Sequence, residues 1–253
     1  MANSFIYRLI NILYKYFPRI YRTIYFCYKY VSDRKRINIL KQNIKLGDIV
    51  LDIGGNIGFY SLLLARLVGV KGEVHVFEPD PVNYKHLRMN TRKYPNIKTY
   101  NVAAGANTAI IKLYCSEYLN VDHQTYDSCE NRNSIEVQCV SIDNYLNHII
   151  KVDFVKIDVQ GFDYQVILGM KRIIAASNNI KILGEFWPYG LKKAGTSVNE
   201  YIELLFELDF SIEFFDDKII SYPESLEKEL NYYTDFWACK KSSENSTKTN
   251  RLS

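Results

Sequence analysis

The residues with the clearest chemical purpose stand where an apolar run gives way to glycine: Asp52-Ile53-Gly54-Gly55-Asn56-Ile57-Gly58-Phe59-Tyr60-Ser61. Glycines at such a point let the backbone turn tightly and approach a ligand, then open a helix whose positive end faces it. Glu78 lies 20 residues after Gly58 and ends a second apolar run. A carboxylate there can accept both hydroxyls of a ribose. Together these residues point to a nucleoside-containing cofactor, either a dinucleotide or S-adenosylmethionine. Two details favour the second. Counted from Gly54, the turn lacks the full Gly-x-Gly-x-x-Gly spacing, because Asn56 and Phe59 hold the second and third glycine positions. Asp52 can also answer the cationic end of an amino-acid cofactor, whereas next to a pyrophosphate it would repel.

Apolar runs and helical patterns alternate from residue 48 onward. The pattern predicts strands at Ile49–Ile53, Glu73–Glu78, Ile97–Val102, Phe154–Val159, Ile180–Phe186, Phe210–Phe215 and Tyr233–Cys239, with helices near 59–68, 81–93, 162–175 and 197–208. Short Val/Ile-rich strands separated by helices imply an α/β fold with a parallel sheet covered on both faces. Two further alternating segments, Ile110–Tyr114 and Ile135–Val140, suggest an inserted hairpin around the polar stretch Cys115–Ser134. Ligands of such sheets bind beyond the carboxyl ends of the strands.

Three segments in this order, Leu51-Asp52-Ile53-Gly54-Gly55-Asn56-Ile57-Gly58-Phe59-Tyr60, Val76-Phe77-Glu78-Pro79-Asp80-Pro81 and Val155-Lys156-Ile157-Asp158-Val159-Gln160-Gly161-Phe162-Asp163, resemble the FkbM family of S-adenosylmethionine-dependent methyltransferases. The resemblance covers roughly residues 46–239. It implies S-adenosyl-L-methionine as cofactor and a Rossmann-like class I methyltransferase sheet of seven strands, order 3-2-1-4-5-7-6, the last antiparallel. It also implies that Asp52, Gly54, Asn56 and Gly58 line the methionine portion, with Gly55, Phe59 and Pro79 in the same segments. Glu78 would hold the ribose, Asn101, Val102 and Ala103 would border the adenine, and Asp158 would sit where cofactor and substrate meet. One position departs. The family usually reads Asp-Val-Glu-Gly at the fourth strand, and this chain reads Asp158-Val159-Gln160-Gly161, losing a titratable group.

Methyl transfer to a hydroxyl needs alignment, exclusion of water and a proton acceptor. Asp158 is one candidate for that acceptor. His123 in the polar insertion is a second, with Asp122 beside it to orient the ring, and its ordinary pKa suits work near neutrality. The third is Glu185, which ends a strand in Gly184-Glu185-Phe186-Trp187-Pro188. Each has a plainer reading: a carboxylate that only hydrogen-bonds, a solvated loop histidine, a strand-end acid. His75, His86 and His148 look structural. The spacing of the acids gives no metal signature, and the metal stays unassigned. The expected acceptor is a small molecule or a glycan hydroxyl. A dinucleotide-dependent oxidoreductase and a non-catalytic cofactor-binding module remain the alternatives.

The chain has 253 residues, 47% apolar and 24% charged, which argues against disorder throughout. Its net charge of +4 conceals a division. Residues 1–46 hold ten basic residues and one acid, Asp33, for +9; residues 240–253 carry +3; the body, 47–239, carries −8. These three parts read as a basic aromatic helical extension, a methyltransferase domain and a disordered polar tail. Residues 5–17 have helical periodicity, Pro18 should interrupt it, and Ile20–Val31 continues it with tyrosines and basic residues. The extension reads either as a cap packed on the domain or as peripheral membrane contact through residues 1–31. Nucleic acid is the less favoured partner, since no Asn/Asp-Pro-Pro-Tyr motif accompanies the basic residues. Five scattered cysteines and the lack of an 18-residue apolar run argue for a reducing, cytoplasmic setting with membrane association at most peripheral.

Overall fold

A computed structural model describes residues 10–116, 123–127, 132–216 and 224–240. Asp122, the middle of the polar insertion and the tail expected to be disordered lie outside the described residues.

Seven strands form the main sheet: β1 (Ile49–Ile53), β2 (Glu73–Phe77), β3 (Ile97–Tyr100), β7 (Phe154–Ile157), β8 (Lys181–Phe186), β9 (Phe210–Phe214) and β10 (Thr234–Lys240). Their order is β3-β2-β1-β7-β8-β10-β9, and β10 runs antiparallel to both its neighbours. This is the expected 3-2-1-4-5-7-6 sheet. The hairpin β5 (Ala109–Tyr114) and β6 (Ser134–Val140) gains a third, two-residue strand, β4 (Ala103–Ala104), parallel to β6. Ala103 and Val102 therefore leave the third strand, which ends at Tyr100, and begin the insertion. A strand that short has no periodicity to read.

Helices cover both faces. One core gathers Leu51, Ile53, Val155, Ile157, Ile182 and Phe236 with the later helices. The other packs Val50, Val74, Val76, Phe154 and Leu183 against α4 (Phe59–Val68). The expected helix near 162–175 is two, α7 (Asp163–Leu168) and α8 (Lys171–Ala176). They part at Gly169, where a Cβ would stand 2.0 Å from the Gly105 carbonyl oxygen.

The N-terminal extension is helical: residues 10–16 form α1, then come α2 (Pro18–Ser32) and α3 (Arg34–Asn43). Pro18 ends one helix and starts the next, as its missing N–H and fixed φ allow at a first helical position. Ile37, Leu40 and Ile44 enter the same core as Val50 and Leu64. The extension is thus packed on the body, sharing its hydrophobic interior.

Candidate active site

The parallel register decides the centre of the site. It sets Asp52 of β1 beside Lys156 of β7. Lys156 is a cation inside a central strand, and burial forces it to find partners. Its Nζ donates to the Gly54 carbonyl at 3.0 Å and lies 3.5 Å from Asp52 and 3.4 Å from Asp158. Asp52 is fully buried, and its Oδ2 accepts from the Ser61 hydroxyl at 2.6 Å. Burial raises its pKa, with Lys156 and Ser61 opposing.

The glycine turn is built by backbone. Gly54 has φ +84, and a Cβ there would stand 2.0 Å from the Asp158 carbonyl oxygen, so only glycine fits. The N–H groups of Gly54 and Gly55 both donate to the Phe77 carbonyl at 3.0 Å. Asn56 has φ +47, a conformation its short amide tolerates, and its Oδ1 accepts the Ile57 N–H at 2.7 Å. Glu78 takes the Asn56 N–H at 2.7 Å and the Asp80 N–H at 3.0 Å. Burial nonetheless pushes its carboxyl up to about 8. Asn101 supports this corner from outside by donating to the Glu78 and Pro79 carbonyls at 2.9 Å.

A second group of acids lies beyond β7 and β8. The antiparallel register sets Glu185 directly opposite Asp235, two like charges that repel. Arg36 of α3 relieves them. Its Nε donates to both Asp235 oxygens at 2.7 and 2.8 Å, and its Nη2 reaches Glu185 at 3.4 Å. Gln160 sits in the left-handed region at φ +53, a strained setting for such a residue. From there its amide donates to Asp158 at 3.3 Å and Glu185 at 3.1 Å. Burial works to raise Asp158, but Lys156, Arg36 and Lys29 outweigh it and hold the carboxyl down to about 2. Burial and the charges of Asp158 and Asp235 push Glu185 up to about 7 against the pull of Arg36. Asp163, the first residue of α7, is pushed up to about 8 by burial and by Glu185 and Asp158.

Both groups face one cavity of about 240 Å³. Its wall includes Gly54, Gly55, Asn56, Phe59, Glu78, Pro79, Val102, Ala103, Asp158, Glu185 and His123. His123 is brought in by an isolated bridge between Tyr114 and Gln124, and its Nδ1 accepts the Ser116 N–H at 3.1 Å. Three expected site residues do not reach the wall. Asp52 lies beneath it against Lys156, Gly58 caps α4 and faces Leu87 of helix α5 (Pro81–Thr91), and Asn101 holds the outer backbone. Unforeseen wall residues are Lys156, Gln160 and Tyr60, together with Tyr25, Lys29 and Arg36 from the extension. A lysine inside the apolar run Phe154–Ile157 was a signal in plain sight. Arg36 had none, because its partners lie 149 and 199 positions away. Among the described residues no group of three or more His, Cys, Asp or Glu could hold a metal ion.

Seven strands in this order, a glycine turn after the first and an acid after the second, in one cavity with further acids, define a class I methyltransferase. Residues 52–215 match the methyltransferase FkbM domain, and the chain belongs to the FkbM methyltransferase family, with S-adenosylmethionine as methyl donor. Membership sets aside the oxidoreductase alternative. Among solved structures, a Streptococcus mutans protein classed as a methyltransferase, in complex with S-adenosylhomocysteine, is 10% identical with a TM-score of 0.51, over 82% of this chain and 97% of that one. A Clostridium thermocellum protein classed as an rRNA methylase is 13% identical with a TM-score of 0.50, over 84% and 97%. An S-adenosylmethionine-dependent O-methyltransferase of Thermotoga maritima is 16% identical with a TM-score of 0.49, over 81% of this chain and 64% of its own length. These likenesses concern the fold. No curated protein matches the chain.

Proposed function

We propose that the chain methylates a hydroxyl of a small molecule or glycan, with Glu185 as the proton acceptor. The observation that carries this reading is the single cavity shared by the Glu78 corner and the Asp158–Gln160–Glu185 group. The wall suits S-adenosylmethionine chemically. Glu78 offers carboxylate oxygens to ribose hydroxyls, and Phe77, Val102, Ala103 and Leu113 offer an apolar slot to the base. Asp158, held ionised, offers charge to a cationic centre. When bound, the cofactor supplies a methyl already activated by a sulfonium.

What this chain must then supply is position and a base. Asp158 at about 2 is too weak a base for the task. His123 has its Nδ1 engaged by the Ser116 N–H, so its neutral ring carries the proton on Nε2 and presents a donor. Glu185 at about 7 can take a proton near neutrality, and Gln160 and Arg36 fix where its oxygens point. A second groove of about 720 Å³, bordered by Tyr14, His86 and Met89, meets the cavity at His123. It supports an acceptor that extends past the reacting hydroxyl, as a glycan would.

The test has two parts. S-adenosylhomocysteine should raise the melting temperature and NADH should leave it unchanged. Labelled methyl from the cofactor should then appear on a hydroxyl acceptor as an alkali-stable ether; label appearing only on amines would refute the O-methylation reading.

A further inference from the structure

Helix α2 has two working faces. Tyr21 is buried, and Tyr25 and Lys29 line the catalytic cavity. Tyr25 and Phe26 also pack toward Phe59 and its core. The exposed face carries Ile20, Ile24, Tyr28 and Val31, with Phe17 at the N-cap, three or four positions apart, which places them in one stripe. All five are at least half exposed, from 51% at Ile20 to 71% at Val31. Of the eighteen large apolar residues exposed among those described, eight fall between Ile12 and Val31. Such a concentration on α2 and the turn of chain before it marks a contact surface.

The charge around the stripe selects the partner. Lys15, Arg19, Arg34 and Lys35 are exposed beside it. The only acid in residues 1–46, Asp33, is turned to Lys29 and to the Tyr60 hydroxyl, 2.5 Å away. A second copy of the chain would bring the same +9 against itself across a two-fold contact. An anionic surface would not. No helix among the described residues is long and apolar enough to cross a membrane, so the stripe can lie along a bilayer but not span it. We propose that the outer face of α2 seats this protein on an anionic lipid bilayer, its aromatic and isoleucine side chains between the headgroups and its basic residues on the lipid phosphates. The same helix then sets the catalytic cavity, walled by its inner face, against the membrane. This placement does not depend on which acceptor the enzyme methylates.

Co-sedimentation of the full chain with vesicles decides it. Vesicles containing a third phosphatidylglycerol should bind the protein, pure phosphatidylcholine should bind it at least tenfold more weakly, and raising the salt should release it. Ile24→Glu and Tyr28→Glu should each weaken vesicle binding at least tenfold. Both side chains are exposed, so melting temperature and S-adenosylhomocysteine affinity should stay unchanged, which separates lost docking from lost folding. Lys15→Glu with Arg19→Glu should abolish the preference for anionic lipid without touching the stripe. Failure to bind anionic vesicles at low salt overturns the proposal. So does vesicle binding that the stripe variants leave intact, or a dimer in solution that the same variants dissociate.

Discussion

Glu78 and Glu185 stand at the ends of two strands of one sheet, and burial raises both carboxyls. Their supports differ in kind. Glu78 is held by the backbone N–H groups of Asn56 and Asp80, 22 and 2 positions away. Glu185 is held by the side chains of Gln160 and Arg36, 25 and 149 positions away. The Glu78 corner, which we propose receives the cofactor, is supported by main chain, whose donors survive most substitutions. The Glu185 region, which we propose faces the acceptor, is supported by side chains, each replaceable by one mutation. Lys156 joins the two by touching Gly54, Asp52 and Asp158 at once.

The harshest test of that junction is Lys156→Met. It leaves the buried Asp52 and the part-exposed Asp158 without their shared cation, and breaking a buried pair such as Asp52–Lys156 costs about 3–5 kcal/mol. Denaturant unfolding at pH 7 should show a loss of this size, shrinking as the pH falls and the acids take up protons. A loss below about 1 kcal/mol would mean that the halves stand independently. Glu185→Gln should follow in magnitude, lowering turnover about 10²-fold or more while S-adenosylhomocysteine binds as before. In the native enzyme the rate should rise as the pH passes about 7, where Glu185 loses its proton. The variant should lack that rise. Glu78→Ala attacks the other half. Above pH 8, where its carboxyl is ionised, the change removes charge-assisted contacts of about 1.5–3 kcal/mol, so calorimetry there should show S-adenosylhomocysteine binding roughly 10- to 150-fold more weakly.

The same contrast explains what could be read before the structure. Glycine turn and Glu78 were legible because each directly follows a strand whose apolar run, Ile49–Ile53 or Glu73–Phe77, announces itself. The sheet order came with the resemblance carried by those segments. Asp52 was expected to face the cofactor, and only the β1–β7 register reveals Lys156 as its partner. In the sequence Arg36 is one of ten basic residues of the N-terminal extension. Its place opposite Asp235 depends on α3 packing through Ile37 and Leu40, which no local pattern ties to residue 235. Pairings across the sheet fix the surroundings of Glu185, and one-dimensional periodicity does not record them.

Gln160→Glu gives the smallest expected effect and the finest probe of the side-chain half, because it restores the residue usual at this position in the family. In this chain the Gln160 amide donates to Asp158 at 3.3 Å and to Glu185 at 3.1 Å. A glutamate there exchanges two donated hydrogen bonds for a third carboxylate. Like charges in one part-buried site raise each other's pKa, so a proton is retained to a higher pH than in the native protein. A carboxyl raised in the folded state adds stability that is full below its ordinary unfolded value of about 4.3 and disappears as the pH rises through the folded value. The variant should therefore match the native protein near pH 4.5 and fall behind it by about 1 kcal/mol at pH 8. Parallel denaturant titrations at the two pH values measure the difference directly. Equal losses at both would mean that the amide only fills space between the acids. A loss confined to the higher pH would show that this chain uses a neutral donor to keep two carboxylates close, with one of them free to accept a proton.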